Sequence, residues 1–141
     1  MILEILDPKN TIDNNFLSWL ESKIRNKLIS SIDRNKLKNW DIFINSNPVY
    51  KSIYKKNIST LDILISGANN LISSRSSESI QITINPKIYA VGFDRVKIRS
   101  LCKLINFGNR DISAYPIFTN TFKYFAENIQ TYIDRYLYGI F

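Results

Sequence analysis

Residues 79–84 read Ser-Ile-Gln-Ile-Thr-Ile. Polar and apolar side chains alternate without a break, which is the period of a half-buried strand. Asn85-Pro86 ends the run. Most other apolar residues recur every three or four positions, the period of helices. Helices must therefore cover a small sheet, because neither element can bury its apolar side alone. The expected fold class is α+β. It is a single domain spanning residues 1–141, with a small, mostly antiparallel sheet packed against two or three helices, one of them a long C-terminal helix.

Polar breaks and prolines divide the chain into segments. In residues 1–12, Ile2, Leu3, Ile5 and Leu6 are apolar, and Asp7-Pro8-Lys9-Asn10 breaks the run. This is either an N-terminal arm reaching a neighbouring subunit or a strand of the chain's own sheet. Asp13 suits the N-cap of a helix. Phe16, Leu17, Leu20, Ile24 and Leu28 form its apolar face, with Glu21, Lys23, Arg25 and Lys27 largely opposite. Residues 34–45 fit a short helix through Leu37, Trp40, Phe43 and Ile44, or a strand over 40–44. Asn47-Pro48 then punctuates the chain, since the residue before a proline avoids helix.

A long helix is expected over about 49–73, through Tyr50, Ile53, Tyr54, Leu61, Leu64, Ile65, Ala68, Leu71 and Ile72. Asn57 breaks its stripe, and Gly67 offers close packing. Ser-rich residues 73–79 read as a loop and 88–91 as a short strand. Residues 95–106 change period and fit either strand or helix. The last helix is capped by Thr119 or Asn120. It runs through Phe122, Phe125, Ile129, Tyr132, Ile133, Tyr136 and Leu137, with Gly139 as its stop.

Several function classes lose support here. Histidine is absent, which removes the usual general base, the usual zinc ligand and the Ser–His and Cys–His pairs. Cys102 is alone, so the chain has no internal disulfide and no paired-thiolate metal site, and it reads as a small core residue. The acids are scattered, and the four glycines make no phosphate loop. No catalytic residue, metal or cofactor is expected, and the chain is read as no enzyme. No apolar run is long enough to cross a bilayer. Glu4 and Asp7 stand where a secretion signal would be basic, so neither a signal nor a membrane association is expected.

Residues 105–118, Ile-Asn-Phe-Gly-Asn-Arg-Asp-Ile-Ser-Ala-Tyr-Pro-Ile-Phe, form a connector before the last helix. Gly108 permits positive φ there, and Asn109 tolerates a similar geometry. Phe107 and Tyr115 would pin the link's two ends to the core, and Pro116 sets the approach to the helix. This order resembles the tail-completion (neck, head–tail joining) proteins of long-tailed bacteriophages. In those proteins a strand with a Tyr-Ala pair leads to an apolar-Glu-aromatic-Gly-Thr turn. A Pro-Phe-like segment and a long helix come next.

Tyr89-Ala90 takes the first place, 105–109 the turn, and Ala114-Tyr115-Pro116-Ile117-Phe118 the Pro-Phe segment, with one residue inserted after the proline. Asn106 and Asn109 replace the family's Glu and Thr, and its Pro-x-x-Thr-Gly segment is missing. The resemblance implies a non-catalytic virion protein assembled in the host cytoplasm. It implies a homo-oligomeric ring between the portal–connector and the tail proteins, with a channel for the genome. A ring needs head-to-tail contacts and exposed apolar residues. Tyr115, Phe118, Tyr138, Phe141 and the N-terminal arm are candidates, together with Phe107, Gly108, Asn109 and Pro116 of the connector. Each of these also has a reading as plain core packing or turn geometry.

The net charge is +7. Residues 21–60 hold nine Lys or Arg against three acids, and 85–110 hold six against one. The functional reading is non-specific contact with phosphates of double-stranded DNA through Lys51, Lys55, Lys56, Arg95, Lys97 and Arg99. The bland reading is a solvated face, since enrichment in Ile, Asn and Lys points to an AT-rich gene. The alternatives to a neck subunit are a small basic DNA-binding or regulatory protein and another virion part, such as a tail terminator. No helix-turn-helix, zinc module or basic zipper pattern supports the regulator.

Overall fold

Residues 79–84 form the central strand, β3 (Ser79–Ile84), of a three-stranded antiparallel sheet in a computed structural model of the chain. The structure describes residues 1–53, 57–90 and 96–139, and only the backbone of 51–53. Ile80, Ile82 and Ile84 are fully buried, while Ser79, Gln81 and Thr83 stay half-exposed on the opposite face. Strand β1 (Leu3–Leu6) pairs along one edge with Leu3 opposite Ile82 and Ile5 opposite Ile80. Strand β2 (Leu71–Arg75) pairs along the other, with Leu71 opposite Ile84. The N-terminal residues are thus a strand of the chain's own sheet, with Leu3 and Ile5 in the core.

Helix α1 (Asn14–Ser30) starts where Asp13 Oδ1 accepts the Phe16 N–H at 2.8 Å. Its buried residues are Phe16, Leu17, Leu20, Ile24 and Leu28, the face read from spacing. Residues 34–46 resolve as a helix, α2 (Arg34–Ser46), burying Leu37, Trp40 and Ile44.

The long helix expected over 49–73 does not form. The segment divides into α3 (Pro48–Ile53), α4 (Thr60–Asn69) and strand β2. Side chains of α2 intercept the backbone that a continuous helix would need. Asn45 bonds both the N–H of Ile58 (2.6 Å) and its carbonyl (3.0 Å), and Asp41 accepts the Thr60 N–H at 2.8 Å. Ser59 then caps α4 through the Asp62 N–H. Residues 73–75, expected in a loop, belong to β2, so the Ser-rich turn shrinks to a tight hairpin. Gly67 does provide close packing: a Cβ there would lie 2.7 Å from Cys102 Sγ and 3.1 Å from Phe118.

Residues 88–90 make no strand. Tyr89 forms an isolated bridge with Lys97, and Val91 lies outside the described residues. The ambiguous stretch becomes α5 (Ile98–Phe107), burying Ile98, Leu101, Cys102 and Ile105. The C-terminal helix is not continuous and does not start at a Thr119 or Asn120 cap. It begins after Pro116 as α6 (Ile117–Glu127) and resumes as α7 (Ile129–Leu137). At the joint, Asn128 Nδ2 bonds the Tyr124 carbonyl at 2.8 Å, a side chain competing with the helix ladder. Gly139 comes after it with φ of 70°, the expected stop. The fold is one α+β domain. Its seven helices among the described residues exceed the two or three expected, because two apolar stripes each divide and the two ambiguous stretches, at 34–46 and 98–107, are both helical.

Candidate functional site

The connector before α6 is held by its own side chains. Gly108 ends α5 with φ of 64° and ψ of −167°, a conformation that essentially only glycine adopts. A Cβ there would sit 2.6 Å from both Ala114 N and Ile112 O, so the link folds back directly over the glycine. Asn109 does not adopt the left-handed geometry it would tolerate. Its Oδ1 instead accepts the N–H groups of Asp111 (2.8 Å) and Ile112 (3.1 Å), closing an Asx turn.

Tyr115 is buried, and its N–H bonds the Ile105 carbonyl at 2.8 Å. Its hydroxyl accepts the Asp33 N–H at 2.9 Å and donates to the Ser31 carbonyl, tying the link to the α1–α2 corner.

Asn106 organises the start of α6. It is fully buried, and Oδ1 accepts the N–H groups of Phe118 (3.1 Å) and Thr119 (3.0 Å) while Nδ2 donates to Thr119 Oγ1. Ile117 and Asn120 donate to the carbonyls of Tyr115 and Pro116. The amides of Ile117, Phe118 and Thr119, which no helical carbonyl can reach, are thus all satisfied, and the bond from Asn120 to Pro116 starts the helix ladder. Sequence reasoning noted Asn106 only as a departure from a family pattern. Its signal was its place on the buried face of α5, one residue after Ile105.

The predicted contact residues separate by exposure. Phe107 (57% exposed) and Tyr138 (78%) face solvent, as does Asn109. Gly108 and Pro116 are half-buried. Phe107 therefore does not pin the link to the core. Tyr115 and Phe118 are core residues and offer no contact surface, because the Pro-aromatic segment turns inward onto α4 and α5. Phe141 lies outside the described residues. Of the N-terminal arm, Leu6 is exposed; with Leu137, also exposed and read from sequence only as part of the last helix's apolar face, it lines one cleft of about 390 Å³ beside Ile12, Phe16, Ile133 and Tyr136.

Of the predicted DNA-facing residues, the structure describes the side chains of Lys97 and Arg99. Lys97 is exposed at the start of α5. Arg99 is half-buried, and its Nε has no hydrogen-bond partner among the described residues. Lys55, Lys56, Arg95 and the Lys51 side chain lie outside what the structure describes. Cations instead collect on rings elsewhere. Lys23 lies 5.4 Å from the Trp19 ring centroid, Lys27 4.1 Å from Tyr124, and Arg135 5.3 Å from Tyr132. The i, i+4 series Trp19, Lys23, Lys27 was the sequence signal for this surface; its partners on α6 and α7 had none.

Asp7 closes the β1–α1 connection. Burial works against its charge, but the Arg75 guanidinium at 2.9 Å, the Thr11 and Ile12 amides and the Thr11 hydroxyl outweigh it. They hold the carboxyl down at about 2. Burial pushes the Cys102 thiol well above its ordinary range and disfavours the thiolate. Among the described residues no cluster of His, Cys, Asp or Glu could hold a metal ion, and no helix is long and apolar enough to cross a membrane. No family model, no curated protein and no solved structure matches this chain.

Proposed function

We propose that the protein is a non-enzymatic structural subunit of a bacteriophage virion, a neck or tail-completion protein. In this reading copies form a ring that joins the head's portal–connector to the tail and leaves a channel for DNA. The observation that carries the reading is the connector of residues 105–118. Its Gly108 turn, Asn109 closure, Tyr115 anchor and Pro116 approach serve to position one helix, and all but Asn109, which stands where the family has Thr, fall on the resemblance to the family's motif. No group in it is placed to react with a substrate. A structural part needs such rigid placement because ring closure fixes the angle between subunits.

Exposed apolar side chains give secondary support. Leu6 on the edge strand β1 and Leu137 at the end of α7 flank one cleft, and Tyr138 is the next residue along. An unpaired strand edge beside exposed apolar residues suits a head-to-tail contact. The test is to disrupt the gene in its virus and image the products by electron microscopy. Separate heads and tails are expected. Intact joined particles would refute the reading.

A further inference from the structure

The rings of Trp19 (α1), Tyr124 (α6), Tyr132 and Tyr136 (α7) form one connected aromatic surface. Trp19 lies 6.0 Å from Tyr132 and 5.5 Å from Tyr136, and Tyr132 lies 6.4 Å from Tyr124. Lys23, Lys27 and Arg135 are seated on it. Each cation is attracted by a ring face, which restricts a long side chain that would otherwise sample many rotamers.

Collecting three like charges opposes stability. Lys23 and Lys27 are four residues apart on one helix, where like charges repel. Among the described residues none of the three lies within ion-pair distance of a carboxylate: the ion pairs there are Arg75–Asp7 and Lys123–Glu127. The neighbouring acids are engaged elsewhere. Glu127 faces Lys123, Asp134 takes a hydrogen bond from Gln130, and Glu21 takes one from Ser73.

We propose that this surface of α1, α6 and α7 binds the phosphate backbone of duplex DNA. The positive charges are concentrated, held in place and, among the described residues, without a carboxylate partner, and so complement a dense line of anions. Base stacking on a single strand needs open ring faces. Here the faces are taken by cations and by neighbouring rings, and Tyr132 is buried. An acidic protein partner fits less well, because lysines are depleted in the desolvated cores of protein interfaces. The contact reads charge, with no base-edge recognition. The proposal goes beyond head–tail joining and does not depend on it: a chain absent from particles can bind DNA in this way, and a ring subunit can fail to.

The test is fluorescence anisotropy of a labelled duplex of about 30 base pairs, titrated with protein over a range of salt. The triple variant Lys23→Gln/Lys27→Gln/Arg135→Gln is compared with Lys38→Gln/Lys87→Gln/Arg110→Gln, which removes as much charge from exposed sites elsewhere. The parent binds at low salt. The first variant flattens the slope of log K against log salt by about 2.7, at roughly 0.9 per phosphate contact, and the second leaves most of it. Should the triple variant fail to fold by circular dichroism, Lys27→Gln and Arg135→Gln alone each flatten the slope by about 0.9. No binding at low salt, equal losses in the two triple variants, or tighter binding of single-stranded than duplex DNA would each overturn the proposal.

Discussion

Replacing Asn106 by alanine tests the internal logic of the connector. The substitution removes the oxygen that accepts the Phe118 and Thr119 amides and the amide group that bonds Thr119 Oγ1. The Phe118 amide is buried, so losing its partner costs about 1–3 kcal/mol. Thr119 is an exposed residue and its amide bond only part-buried, so its loss costs less, about 0.5–1 kcal/mol, in the range of a lost helix cap. The small void left on a fully buried site adds about 1 kcal/mol. The total is about 2.5–5 kcal/mol, roughly 10–15 °C in Tm for a domain of this size.

The control is Asn106→Asp. It keeps both amide bonds and puts negative charge at the positive end of α6. Thr119 Oγ1 can turn to donate to the carboxylate, since a hydroxyl serves either way. Urea denaturation at about pH 7, monitored by circular dichroism with the m-value checked for constancy, should place the aspartate variant well above the alanine variant. If alanine lies within about 1 kcal/mol of the parent, or if both variants fall equally, Asn106 does not cap α6 in the way its distances imply.

Three further outcomes are set by the geometry. Gly108→Ala forces a side chain into positive φ and into backbone 2.6 Å away, and should cost about 3 kcal/mol or more, seen as loss of soluble folded protein. Tyr115→Phe removes the hydroxyl that accepts the Asp33 amide and donates to the Ser31 carbonyl, and should cost about 1 kcal/mol by the same urea assay. Asp7 has a folded pKa depressed from 3.8 to about 2, so its contribution is present above about pH 4 and lost as pH falls toward about 2. Arg75 keeps 35% of its side chain in solvent, so screening trims that contribution to about 1–2 kcal/mol. The gap in stability between the parent and Asp7→Asn should therefore narrow from about pH 5 to about pH 2.

The sequence carried local structure well where one period ran uninterrupted. The alternation at 79–84 and the stripe from Phe16 to Leu28 both appear as read. It failed where a stripe continued across a break made by distant side chains. Asn57 interrupts the stripe and Ser59 caps α4, but neither tells that Asn45 and Asp41 of another helix take the backbone of 58–60. The stripe from Phe122 to Tyr136 hid the Asn128 joint for a related reason, since packing still wants the same face on both sides of it.

The candidate site divides in the same way. Gly108 and Pro116 were legible because their backbone demands are intrinsic to the residue. Whether Tyr115 and Phe118 face inward was not, because an aromatic residue after a turn suits core and interface equally until the surrounding helices are placed. The cation-bearing ring surface depends on α1 meeting α7, a contact between residues more than 100 positions apart.

The proposed function stands or falls on whether the protein is a component of a virus particle. Quantitative mass spectrometry of purified intact particles, with copy number counted against the portal protein, is the direct test. Several copies for each portal ring are expected. Absence from particles, with the protein found free in infected cells, would contradict a virion role and favour a small DNA-binding protein instead.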